Sequence, residues 1–151
     1  MTSAATSGPA PDPRDRVIWA LRRAELAVQN LKDRQLRSIG MAASHYALLV
    51  SVSAEPGLAG AALARRLNVT PQAIASLVTR LEDRGWVERR AHARHTQVQE
   101  LHLTDEGRAA LEQADAIVAD IEHQVITLLG ASESEQLHSL LETLAGSLHS
   151  A

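Results

Sequence analysis

Leu67-Asn68-Val69-Thr70-Pro71-Gln72-Ala73-Ile74-Ala75-Ser76-Leu77-Val78-Thr79-Arg80-Leu81 is the stretch from which the rest of the chain takes its meaning. Asn68 tolerates a left-handed backbone, Val69 can plug a core, Thr70 can accept from the free amides of a starting helix, and Pro71 suits the first helical position. Beyond this turn Ile74, Leu77, Val78 and Leu81 recur as one apolar stripe, so a helix is predicted with Gln72, Ala73, Ser76, Thr79, Arg80 and Asp83 facing outward. A short helix predicted over residues 59–67 precedes the turn. Short helix, tight turn and longer helix form the helix-turn-helix pattern.

Downstream, Gly85 ends the longer helix, and residues 86–90 and 97–103 read as two strands joined by a loop rich in Arg and His. This hairpin would be a wing. Thr104 can cap a further helix, with Asp105 and Glu106 in its first turn and Leu111, Ala114, Val118, Ile121, Val125 and Leu128 spaced at three and four. Gly130 stops it, and after Ser132 a last helix presents Leu137, Leu140, Leu141, Leu144 and Leu148. Upstream, residues 14–36 hold a long seam of Val17, Leu21, Ala24, Val28 and Leu31. Ile39-Gly40-Met41 interrupts it, and Ser44 can cap a second helix with Tyr46, Leu49 and Val50 on its apolar face, which Pro56-Gly57 ends. Residues 1–13 lack both a basic start and an apolar stretch and are predicted to be a disordered tail rather than a signal peptide.

The fold class predicted is mainly α with a small β-hairpin wing, organised as a winged helix-turn-helix lobe over residues 44–104 plus long terminal helices over residues 14–37 and 105–151. Those terminal helices carry more apolar seam than one small lobe covers. A homodimer in which they interlock solves this, and two-fold symmetry would set two recognition helices roughly 34–36 Å apart.

Composition narrows the function. The 151 residues contain no Cys, which removes disulfides, thiolate catalysis and Cys-based zinc sites. Trp19, Trp86 and Tyr46 are the whole aromatic complement, too few for a base-stacking platform that binds single strands. Net charge is −3, but it is unevenly spread: residues 1–55 sum to +2, residues 56–104 to +3 and residues 105–151 to −8. A polyanion would meet the middle segment. No stretch suits a membrane span, and a cytoplasmic protein is expected.

Gly60-Ala-Ala-Leu-Ala-Arg-Arg-Leu67, the continuous run from Val69 to Arg90, and Leu103-Thr-Asp-Glu-Gly107 closely resemble the MarR family of transcriptional regulators, over about residues 14–150. The loop Ala91-His-Ala-Arg-His-Thr-Gln97 is similar to that of a subgroup whose wing reads His-Pro-Thr-His-Gly-Arg. The resemblance implies a triangular dimer of winged helix-turn-helix lobes that binds palindromic operators, usually as a repressor, and is often released by a small aromatic or phenolic ligand. There are two departures. Family members commonly carry Ser-Arg where this chain has Ala75-Ser76, and the wing commonly ends in Arg where this chain has Gln97, with Arg94 nearby.

Candidate contacts to double-stranded DNA are Thr70, Pro71, Gln72, Ala73, Ser76 and Arg80 in the recognition helix, and His92, Arg94, His95 and Gln97 in the wing. Gln can pair with adenine, Ala can meet a thymine methyl and Ser can bond either kind of base edge. Arg80 can reach phosphate or pair with nearby acids, and Arg94 and the wing histidines would lie at the minor groove or its phosphates. Trp19, Arg22 and Arg23, with His45 and Tyr46 opening the second helix, could line a pocket for an aromatic carboxylate. The same Trp could instead simply pack, with both Arg solvated. His92 and His95, with His123 and His138, invite a zinc reading, but their spacing is unspecific, so no metal site and no cofactor is assigned. No nucleophile elbow, phosphate loop or divided carboxylate pair suggests an enzyme. Alternatives to a repressor are an activator or antirepressor of the same fold, or a helical dimerisation module that has lost DNA binding.

Overall fold

The computed structural model describes residues 12–149, so the expected tail lies outside the described residues except for Asp12 and Pro13. These two open a 3-10 turn, Pro13–Asp15, in which the Asp12 side chain accepts from the Arg14 amide. Six helices follow: α1 Val17–Leu36, α2 Ala43–Ala54, α3 Gly60–Leu67, α4 Pro71–Asp83, α5 Asp105–Leu129 and α6 Ala131–His149. The strands β1 Leu58–Ala59, β2 Val87–Ala91 and β3 Gln99–Leu103 form one antiparallel sheet in the order β1-β3-β2, with Leu58 opposite Leu101 and Val87 opposite Leu103. Among the described residues no helix is long and apolar enough to cross a membrane.

One core joins these elements except α6. Leu36 and Met41 close it from the end of α1. Leu48, Leu49 and Val52 enter from α2, Leu63 from α3, Ile74, Val78 and Leu81 from α4, and Leu101, Leu103 and Leu111 from β3 and α5. The predicted stripe of α4 is therefore the buried one, Leu77 being partly covered. The preceding turn forms as its residues dictate: Asn68 adopts φ +52°, and the Thr70 side chain accepts from the Ala73 amide at 3.1 Å. Gly85, at φ +74°, ends α4.

Three expectations are corrected and one unforeseen strand is added. The first helix begins at Val17, because the chain arrives through the 3-10 turn. Val69 does not plug the core; it is 44% exposed, because the left-handed Asn68 turns the chain outward before α4. Ser44 is not the cap of α2: Ala42 occupies that position, and the free amides are met from elsewhere, Ala43 N–H by Asp33 of α1 at 2.7 Å and Ala42 N–H by His45 Nδ1 at 3.3 Å. The strand β1 has no period-two run to announce it; it is two residues long and owes its place to β3.

At the other end of the lobe, Thr104 ties the wing to α5. Its hydroxyl donates to the Gly85 carbonyl and accepts from the Gly107 amide, while its own amide donates to the Trp86 carbonyl. Gly107 lies so close to this crossing that a Cβ built on it would come within 1.9 Å of the Trp86 oxygen. The long helices leave apolar surface uncovered: Val17 and Ile18 on α1, Leu128 on α5, and Leu137, Leu140, Leu141, Leu144 and Leu148 on α6 are exposed, and the substantial packing of α6 is against α5 alone.

Gly107→Ala is expected to force α5 and β2 apart and to lower the unfolding free energy by about 2 kcal/mol or more, read as a shift of the urea midpoint. An unchanged midpoint would mean that the crossing relaxes without cost.

Candidate nucleic-acid interface

The helix α4 is held by its inner stripe, so its opposite surface is set by elimination. Gln72, Ala73, Ser76, Thr79 and Arg80 are all exposed there, as are Thr70 and Pro71 at its start. Positions 72, 73, 76, 79 and 80 fall within an arc of about 120° at 100° per residue, one face of the helix. Beside it the β2–β3 hairpin carries Arg94, His95 and Gln97 in the open, with His92 half-buried at its root. The structure thus sets the ten residues singled out in the sequence on two neighbouring elements of one lobe.

Charge partners separate the cations. Arg66 pairs with Glu55, Arg89 with Glu82 at 2.8 Å and Arg90 with Glu88. Arg84 lies over the Trp86 ring, 3.7 Å from its centroid, and donates to the Gly40 carbonyl. Among the described residues Arg65, Arg80 and Arg94 have no carboxylate within ion-pair distance. Of the two partners open to Arg80 in the sequence, the acid is therefore absent.

The wing is shaped by an unforeseen arrangement. His92 Nδ1 accepts from the amides of Arg94 and His95 at 3.1 and 3.2 Å, folding the loop over the ring, on which the His95 ring stacks at 5.3 Å. The remaining nitrogen, Nε2, faces Glu100 at 3.6 Å, and the other Glu100 oxygen meets His102 at 3.1 Å. With Nδ1 accepting two amides, the neutral ring carries its proton on Nε2, which leaves no free lone pair for a metal. Among the described residues no group of three His, Asp or Glu is placed to hold a metal ion. Alternation along β3, which puts Glu100 and His102 on one face, is the signal from which Glu100 could have been read.

The five expected ligand contacts are split. Asp33, which touches the start of α2, lies fourteen residues beyond Trp19 on α1, about 21 Å at 1.5 Å per residue. Trp19, Arg22 and Arg23 therefore sit at the far, exposed end of α1 from His45 and Tyr46, and one protomer does not form that pocket. Tyr46 is committed elsewhere: its hydroxyl donates to Asp115 of α5 at 2.7 Å, and burial, then this bond, pushes its pKa up to about 12. His45 is pushed below its ordinary 6.5, first by burial and then by the nearby Arg84 and Arg80, against a smaller opposing effect of Asp33.

A different cavity opens between α1, α2 and α4. It is a cleft of about 790 Å³, walled by Ala43, Ala47, Leu67, Val69, Ile74 and Leu77, with Gln29, Asp33, Ser44, Ser76 and Arg80 at its edges. Ala73, Ser76 and Arg80 belong both to this cleft and to the exposed face of α4. Nothing in the sequence pairs Asp33 with α4; only the tertiary packing of α1 on α2 does.

With this geometry in place, four likenesses are informative. A profile of the MarR family matches residues 39–97. The HTH-type transcriptional repressor Rv2887 of Mycobacterium tuberculosis (strain ATCC 25618 / H37Rv) is 34% identical over 109 residues, 72% of this chain and 78% of the relative. Among solved structures, the transcriptional repressor CouR bound to a 23-mer DNA duplex superposes with a TM-score of 0.82 at 26% identity, covering 91% of this chain and 99% of that one. Rv2887 in complex with salicylic acid superposes at 0.72 with 30% identity, covering 85% and 96%.

His45 yields a prediction with a definite sign. Its folded-state pKa is depressed, so the unfolded chain binds the proton more readily, and the stability due to the neutral ring is present above pH 6.5 and declines as pH falls below it. Melting temperatures measured between about pH 5 and 7.5 should fall more steeply for the parent than for His45→Gln. Parallel profiles would remove His45 from the account.

Proposed function

This chain belongs to the MarR family, and on that premise we propose that it is a cytoplasmic, homodimeric repressor that binds a palindromic double-stranded DNA operator and is released by a small aromatic acid. The observation that carries the reading is the exposed outer face of a capped α4, standing beside a wing whose Arg94 has no acidic partner among the described residues. A helix whose outer face is polar, small and oriented by a rigid turn fits the major groove, while a cationic hairpin beside it reaches the flanking backbone. In this reading Thr70, Pro71, Gln72, Ala73 and Ser76 meet the groove, Arg80 the adjoining phosphate, and Arg94, His95 and Gln97 the wing contacts, while His92, expected among them, instead folds the loop that presents them. The family is one of transcriptional regulators, and the duplex in the CouR structure supports the same docking here.

Dimerisation follows from the apolar surface of α1, α5 and α6. Val17, Ile18, Leu128 and the α6 leucines would each lose stability in water and gain it against a second copy, at roughly 25 cal/mol for each Å² covered.

For the effector, the cleft between α1, α2 and α4 offers apolar walls for an aromatic ring and Arg80 for a carboxylate. The salicylic acid in the Rv2887 structure supports that ligand class. Because Ala73, Ser76 and Arg80 serve both surfaces, a ligand there binds one placement of α4 better than another, and release is the resulting population shift.

Two measurements test this. Selection of genomic fragments by the purified protein at about 0.15 M salt should recover a palindrome bound by one dimer, and Arg94→Ala, which removes one contact from each half-site, should weaken all sequences and lower the salt slope by about two. A folded dimer that enriches nothing would overturn the regulator reading. Ala47→Phe, which fills the cleft from α2, should abolish release by salicylate while leaving operator affinity without ligand within about two-fold. Release that persists in this variant would move the effector to another site.

A further inference from the structure

The face that α4 turns outward has an unusual chemistry for a reader of DNA. No Lys or Arg occurs from residue 67 to residue 79, and Arg80 stands about 12 Å along the axis from Gln72. Guanine is most often recognised in the major groove by a bidentate Arg or Lys on its O6 and N7, and the first two turns of α4 have neither.

What those turns do present is one amide, one hydroxyl and several methyls. Gln72 is exposed and supplies the amide, the group whose donor and acceptor match N6 and N7 of adenine. Ser76 is exposed and can bond either kind of base edge. Thr79 does not add a second free hydroxyl, because its Oγ1 donates back to the Ala75 carbonyl at 3.0 Å. With that proton committed, Thr79 can offer a base only an accepting lone pair and its methyl, and the Ala73 methyl lies on the same arc. Methyls of this kind meet the C5 methyl of thymine, the one apolar group in the major groove. From Gln72 to Thr79 the helix advances about 10 Å, the length of about three stacked base pairs at 3.4 Å each.

Resting on the regulator reading above, we propose that the half-site bases under the first two turns of α4 are A·T pairs: an adenine held by the Gln72 amide, flanked by thymines whose methyls pack on Ala73 and Thr79. Gln72 is the specificity-determining residue for the adenine, and Arg80 contributes affinity through phosphate without choosing a base.

The test uses the full chain and a duplex library randomised across both half-sites. The enriched palindrome should carry A·T pairs at three adjacent positions of each half-site. On that operator, replacing single thymines by deoxyuridine removes one methyl at a time, and at the contacted positions it should weaken binding about four-fold. Gln72→Arg, an exposed change that leaves the core untouched, should move the preference at one position from adenine to guanine by about ten-fold or more, leaving the others as they were. Enrichment of G·C pairs across each half-site by the parent protein, or indifference to deoxyuridine at every thymine, would overturn the A·T assignment while leaving DNA binding intact. Failure of the folded protein to enrich any sequence would instead overturn the regulator reading itself.

Discussion

The burial of a single stripe of α4 is the constraint from which the rest of the molecule follows. Ile74, Val78 and Leu81 are each at most 2% exposed, and they fix the rotation of the helix about its own axis. A helix locked in this way has no choice about its other face. That the face is built from short and polar side chains costs the fold little, because nothing in the core depends on them. Stability and the proposed recognition thus fall on different residues of the same thirteen-residue element.

The lobe containing α4 is attached to the long helices by a few polar ties rather than by a continuous core alone. Asp33 holds the start of α2, Tyr46 is bonded to Asp115 of α5, and Arg84 bridges the end of α4 to the turn at Gly40. Each tie joins a lobe element to α1, to α5 or to the turn that follows α1. Such contacts are directional, so a lobe can exchange one set for another with a small rotation, whereas a packed core resists gradual deformation. Two discrete placements of α4 relative to the long helices are what a ligand in the neighbouring cleft would need in order to have an effect, since a ligand that binds both equally shifts neither.

How much of this was legible in the sequence varied with the range of the interaction. The turn at Asn68 and Thr70, the stop at Gly85 and the cap at Thr104 are local, and each formed where its residue type demanded. The α4 face was legible for the same reason: period and burial are properties of one helix. The start of α2 was not, because its amides are satisfied by Asp33 and His45 rather than by the nearest Ser. Nor was the split between Trp19 and His45, since helical spacing says nothing about which end of a long helix meets its neighbour. The wing was legible as a hairpin, but the hold of His92 on two amides depends on a loop conformation that no spacing rule describes.

Charge resolves the remaining tension between an acidic chain and a polyanionic partner. The surplus of acid lies in residues 105–151, mainly on α5 and α6, while the segment that contains α4 and the wing is net basic. At physiological ionic strength the screening length is about 8 Å, so charges further than this from the duplex hardly affect the contact. In the proposed complex the effective charge at the interface is that of the lobe, and within the lobe it is that of the cations without acidic partners among the described residues, Arg65, Arg80, Arg84 and Arg94. In the proposed complex the acidic helices would act on orientation: an approach that brings α5 or α6 to the DNA would be repelled, and the approach through α4 and the wing would be the favoured one. A net charge of −3 is therefore compatible with DNA binding, and its uneven distribution favours a single face.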